Sequence, residues 1–219
     1  MNINKKDLIL YAITSEKYSK KDNSLLLNDV EKAILGGATC VQLREKVLED
    51  NLLLERALKL KKLCKKYGVP LIINDNVNIA LKSGADGVHL GEKDMPIKDA
   101  IKMLGKDKII GASATNINDA IKAQKSGASY IGVGSIFYTY SKKDAKNVSV
   151  STLKSICEYA DIPVVAIGGI NIENVRYLND SKISGIAVIR SIFDKENIKL
   201  ATKNLKSEVL KILGIAKDA

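Results

Sequence analysis

Residues able to do chemistry fall in short clusters, each ending an apolar run. Along Gln42-Leu43-Arg44-Glu45-Lys46, an extended backbone turns Gln42, Arg44 and Lys46 to one side. One amide donor and two cations on a single face suit a dense anion such as a diphosphate, with the guanidinium able to grip it through paired hydrogen bonds. The same cluster also fits a strand edge that ends in solvated charge. Asn74-Asp75 ends the next run, and His89-Leu90-Gly91-Glu92-Lys93-Asp94 spans the end of the one after. If those runs are neighbouring strands, the Asp75 and Asp94 carboxylates converge, and with phosphate oxygens and water they make a Mg²⁺ site. A helix cap at Asp75 and a turn at Asp94 are the plainer alternatives. His89, the only histidine, lies inside an apolar run and reads as packed rather than catalytic. Ser113, in Gly111-Ala112-Ser113-Ala114-Thr115, offers a small hydroxyl with no evident histidine partner, so a Ser-His-Asp nucleophile is not expected.

A second group lies further along. The stretch from Gly132 to Asp144 is long and polar, and Thr139, Ser141 and Lys142 could hold a second phosphate there. Its length suits a lid or a surface loop. Gly168-Gly169 lets backbone N–H groups approach a ligand, and Ile189-Arg190-Ser191 opens a turn of helix. The whole inventory describes two phosphorylated substrates and a divalent cation.

The elements that position these clusters recur at about 25 residues, near what a strand, a helix and two short loops require. Short β-branched runs lie at 8–13, 39–43, 70–73, 87–90, 108–111, 129–133, 163–167 and 185–189. They lack polar alternation, as strands buried on both faces do. Segments with apolar residues at helical spacing separate them, Leu53, Ala57, Leu60 and Leu63 among them. Gly37-Ala38, Gly84-Ala85 and Gly127-Ala128 each close a helical segment just before a strand. Eight such units with no linker predict a (β/α)8 barrel occupying residues 1–219 as one domain, with a last helix over about 196–213; an open doubly wound sheet is the alternative.

Composition narrows the class. With 219 residues, 46% hydrophobic and 27% charged, the chain is an ordinary globular one. Neither a membrane span nor a signal-peptide pattern is visible, and three cysteines without a C-x-x-C spacing indicate no disulfide frame; a cytoplasmic protein is expected. The net charge of +10 comes from scattered lysines, with only four arginines and 5% aromatics, so it reads as a solvated surface rather than a nucleic-acid site. No membrane or nucleic-acid partner is expected, and a homo-oligomer is compatible with the sequence.

The motifs Gln42-Leu43-Arg44-Glu45-Lys46, Asn74-Asp75, Gly91-Glu92-Lys93-Asp94, Gly111-Ala112-Ser113-Ala114, Thr139-Tyr140-Ser141-Lys142-Lys143 and Ile167-Gly168-Gly169-Ile170 resemble, in order and spacing, the thiamine phosphate synthase family. The resemblance runs from about residue 8 to 200. It implies a barrel enzyme that joins 4-amino-5-hydroxymethyl-2-methylpyrimidine diphosphate to 4-methyl-5-(2-phosphooxyethyl)thiazole, or its carboxylate form, releasing pyrophosphate. By matched position it implies that Gln42, Arg44, Lys46, Asn74, Ser113 and Lys142 bind the pyrimidine diphosphate, with Arg44, Lys46, Lys142 and Ser113 assisting its departure. Asp75 and Asp94 would hold Mg²⁺. Thr139, Ser141, Gly169 and the Ile189–Arg190 turn would hold the thiazole phosphate, and Glu45 and Tyr140 lie within the same binding motifs. The family's path is dissociative, through a pyrimidine-stabilised cation, and needs no protein nucleophile. The chain departs from the pattern at Glu92, usually Gln, at Ser135 and Tyr138, usually Pro, at Ser141, usually Thr, and at Arg190, where Ser is common. Rival readings are a thiazole tautomerase-like paralogue and a non-catalytic phosphate-ligand sensor.

Overall fold

Each of the eight apolar runs forms a strand in the computed structural model, which describes residues 3–18, 22–140 and 146–216. They are β1 Leu10–Ile13, β2 Cys40–Leu43, β3 Leu71–Asn74, β4 Gly87–Leu90, β5 Ile109–Ala114, β6 Tyr130–Val133, β7 Val164–Ile167 and β8 Gly185–Val188. All pair in parallel with their sequence neighbours, and β8 returns to β1, closing the sheet into a (β/α)8 barrel. Alternation along each strand divides two cores. Tyr11, Ile13, Cys40, Ile72, Ile109, Tyr130, Val165 and Ala187 fill the interior. The intervening residues, such as Leu10, Val41, Leu43, Leu71 and Ile73, pack outward against the helices.

The helices are α1 Asn23–Leu35, α2 Asp50–Lys66, α3 Val77–Ser83, α4 Ile97–Leu104, α5 Ile117–Lys125, α6 Val150–Tyr159, α7 Arg190–Phe193 and α8 Ile198–Ile212. Four of them start on a side-chain cap: Asn76, Asn116, Ser149 and Asn197 each accept a first-turn N–H. Gly84 ends α3 at φ 66°, the left-handed position expected of it. Among the described residues no helix is long and apolar enough to cross a membrane.

Two elements differ from the sequence reading. First, β5 runs on to Ala114, because Ala112 pairs with Leu90 and Ala114 with Val133. Pairing on both sides outweighs the weak strand preference of a Gly-Ala-Ser-Ala run. Second, β7 and β8 are joined through a single 3₁₀ turn, Val175–Leu178, where the repeat calls for an α-helix. Asn171 accepts the N–H groups of Glu173 and Asn174, and Asn174 accepts that of Asn171. These local bonds compete with helix formation, and α8 packs over the gap.

Candidate active site

The C-terminal ends of the strands gather most of the expected residues. At the end of β2, Gln42 is buried inside the barrel and its Nε2 donates to the Tyr11 hydroxyl at 2.7 Å. The Arg44 backbone is fixed by Thr14, whose Oγ1 accepts the Arg44 N–H at 2.9 Å. Lys46 extends across the rim and donates to Asp75. Glu45, expected among the binding residues, points the other way. Alternation turns it outward, where its fully buried carboxylate accepts from Arg56 of α2 at 2.7 Å. It joins the strand end to the helix rather than facing the mouth.

Asp75 and Asp94 come together. The cap of α3 is Asn76, so Asp75 is left at the rim with φ 61°, a left-handed conformation that Asp tolerates. Its amide donates to the His89 carbonyl at 2.9 Å. The two carboxyl groups act on each other electrostatically, and Asp94 accepts the Gly91 N–H at 2.6 Å. Burial works to raise the Asp75 carboxyl, but Lys46 and Asp94 outweigh it and hold it below the ordinary range. Burial and the contact with Asp75 push Asp94 up. Two carboxyls that interact in this way share a proton or a cation. No group of three or more His, Cys, Asp or Glu side chains that could hold a metal forms among the described residues.

Ser113 does have a histidine partner, which corrects the sequence reading. Strand alternation points both His89 and Ser113 inward, and His89 Nε2 lies 3.0 Å from Ser113 Oγ. His89 Nδ1 lies 3.0 Å from the Tyr130 hydroxyl, itself 3.0 Å from that of Tyr11. A hydrogen-bonded chain thus runs from Gln42 through Tyr11, Tyr130 and His89 to Ser113, from the buried interior to the exposed mouth. Two glycines clear its path. A Cβ at Gly111 would stand 2.4 Å from the Tyr130 hydroxyl and 2.5 Å from His89 Nδ1, and one at Gly132 would crowd the ring at 3.2 Å.

On the far side of the mouth, the segment after β6 lies along the end of β7. Ile136 and Phe137 donate their N–H groups to the carbonyls of Ile167 and Gly168 at 3.0 Å each. The approach is close enough that a Cβ at Gly169 would stand 2.3 Å from the Tyr138 carbonyl. The rings of Tyr138 and Tyr140 meet edge to face at 4.8 Å, both about 70% exposed. Arg190 donates to Asp194 at 2.7 Å and lies 5.9 Å from the Tyr140 ring. Ser141 and Lys142 lie outside the described residues.

Known proteins resemble the chain throughout. The family model described as thiamine monophosphate synthase matches residues 10–192. A thiamine-phosphate synthase from Methanobrevibacter smithii is 48% identical over 206 residues, which make up 94% of this chain and 97% of that one. One from Clostridium tetani is 49% identical over 199 residues, 91% and 94% of the two chains. The solved structure of a thiamine phosphate pyrophosphorylase from Pyrococcus furiosus shares the fold with a TM-score of 0.87 and 37% identity, over 96% of this chain and 99% of that one.

Proposed function

The chain belongs to the thiamine monophosphate synthase family and makes thiamine phosphate, and from that premise we propose how its residues divide the reaction. The pyrimidine diphosphate sits over the ends of β2 to β5. Gln42, Arg44, Lys46, Asn74, Ser113 and Lys142 hold it, and Asp75 and Asp94 would hold a Mg²⁺ ion. Thr139, Tyr140, Ser141, the Gly169 amide and the Ile189–Arg190 turn hold the thiazole phosphate. Glu45 is left out of this set, since its carboxylate is committed to Arg56.

The observation that carries the assignment is the meeting of Lys46, Asp75 and Asp94 at one rim. Two carboxyls held together favour a cation, and Asp75 and Asp94 would hold a Mg²⁺ ion that takes its other ligands from outside the protein. When bound, the ion would neutralise charge growing on the departing pyrophosphate. The residues of the chain do the rest. Arg44, Lys46 and Lys142 supply fixed positive charge as the methylene C–O bond breaks and its electron pair leaves with pyrophosphate. The thiazole phosphate site orients the ring nitrogen, whose lone pair forms the new C–N bond. No side chain is required to take a covalent bond or a proton. The three cysteines are unpaired, which supports a reducing, cytoplasmic setting.

Pyrophosphate release by the purified protein tests this reading. Release should require both phosphorylated substrates and Mg²⁺, match thiamine phosphate mole for mole, and stop with EDTA. In Asp94→Ala the rate should fall at least a hundredfold, on the order of one lost electrostatic contact at a reacting centre. A near-normal rate in that variant would remove Asp94 from the metal site.

A further inference from the structure

The hydrogen-bonded chain inside the barrel has a direction, and its direction decides what Ser113 presents to a ligand. Each phenol brings one proton: burial pushes both Tyr11 and Tyr130 well above the ordinary phenol range, so both stay neutral. Gln42 donates at the buried end, through its Nε2. Tyr11 accepts there, which leaves its own proton for Tyr130. Tyr130 accepts from Tyr11 and has its proton for His89 Nδ1. With the Tyr130 proton aimed at it, Nδ1 has no room for a proton of its own, so the ring N–H sits on Nε2 and its bond goes to Ser113 Oγ. Ser113 then accepts from inside, and its own O–H is left for the mouth. The reverse direction would make Ser113 donate inward and present only lone pairs outward. An anion needs a donor, so only the first direction serves a diphosphate.

We propose that the Gln42–Tyr11–Tyr130–His89 chain is a positioning device that holds His89 as its Nε2–H tautomer and so fixes Ser113 as a hydrogen-bond donor to the pyrimidine diphosphate. His89 is thus a positioning residue rather than a catalytic one, and Tyr11 and Tyr130 act through it. The inference rests on the assignment of Ser113 to the diphosphate site made above. Space for the chain is provided by Gly111 and Gly132, whose missing Cβ atoms give the Tyr130 hydroxyl and the imidazole room to meet. Conformation does not require glycine there, since neither has a positive φ.

His89 is the only histidine, so a two-bond ¹H–¹⁵N spectrum of the labelled intact protein at neutral pH reports its state without further assignment. The expected spectrum shows a protonated Nε2 and a bare Nδ1. A protonated Nδ1, a mixture of tautomers or a doubly protonated ring would overturn the proposed direction. Kinetics then test what the chain does. Tyr130→Phe keeps the ring and removes one hydroxyl, and it should raise the KM for the pyrimidine diphosphate roughly tenfold, about one weakened hydrogen bond to a charged group. In a Ser113→Ala background the same change should add nothing, because the group it positions is gone. If Ser113→Ala raises this KM but Tyr130→Phe does not, the positioning role is wrong and the Ser113 contact stands. If Ser113→Ala leaves KM unchanged, the assignment of Ser113 to the diphosphate fails and the role proposed for the chain falls with it. Should Tyr130→Phe not fold, the spectrum of the unaltered protein still decides the direction.

Discussion

Arg44 carries a demand that lysine cannot meet. Its backbone is pinned to Thr14 at the end of β2, which aims a planar, two-pronged cation from a rigid base. Arg44→Lys keeps the charge and loses the fork, so kcat/KM should fall roughly 10- to 100-fold, the worth of one charge-assisted hydrogen bond. Steady-state pyrophosphate release measures it, and an unchanged value would take the diphosphate away from Arg44. Residues of this kind were legible because a polar side chain at a strand end has few places to point. Period-two alternation groups Gln42 with Arg44 and Lys46, and the same rule would have turned Glu45 to the helix side. The His89–Ser113 contact was readable in principle too. Each lies two places beyond an inward glycine on adjacent strands, but only if β5 is carried past Gly111. The surroundings of Arg190 were only partly legible in the sequence. Its approach to Tyr140 depends on how the segment after β6 lies against β7, whereas its bond to Asp194 is a local pair four residues apart.

Between β2 and α2, the Arg56–Glu45 pair acts as a strut. Arg56 donates to Glu45, to the Tyr18 carbonyl and to Asn23, so it gathers β2, α1 and the turn after β1 around one buried guanidinium. Arg56→Met fills most of the space and strands a buried carboxylate, which should cost roughly 3–5 kcal/mol. Urea unfolding of the variant against the parent checks this, and a loss below about 1 kcal/mol would mean that Glu45 finds water or another donor. Elements were the most legible level. β-branched runs and glycine-terminated helices recur so regularly that every strand start but that of β1, which begins at Leu10 after a 3₁₀ turn, follows from them to within a residue. The departures came where local rules meet a stronger neighbour. In β5, two flanking strands extend a run of small residues. Before β8, asparagine side chains take the N–H groups that a helix would have used.

Across the whole molecule, the surface charge matters less than the buried acids. Among the described residues most ion pairs join exposed lysines to carboxylates, and such pairs contribute little each. Burial pushes the thiols of Cys64 and Cys157 up to about 12, and Cys40, Tyr11 and Tyr130 up as well. These groups are neutral when protonated, and the unfolded chain gives up its thiol protons near pH 9, before the folded one. Their contribution is therefore complete below about pH 9 and is lost as pH rises toward about 12. Chemical unfolding at pH 7, 8.5 and about 10.5 should give similar stabilities for the first two and a clear drop for the third. A flat profile would show that the thiols ionise freely in the fold. The seam of the barrel carries a different consequence. β1 finds its second partner only in β8, with Tyr11 opposite Ala187, and Gly185 must pass so near the Leu8 carbonyl that a Cβ would stand 1.9 Å from it. On a ribosome β1 emerges long before β8 and waits while the six strands between them are made. A stop codon ahead of residue 185 would yield a nascent chain with a bare parallel edge, a product for the quality-control machinery rather than a shorter enzyme.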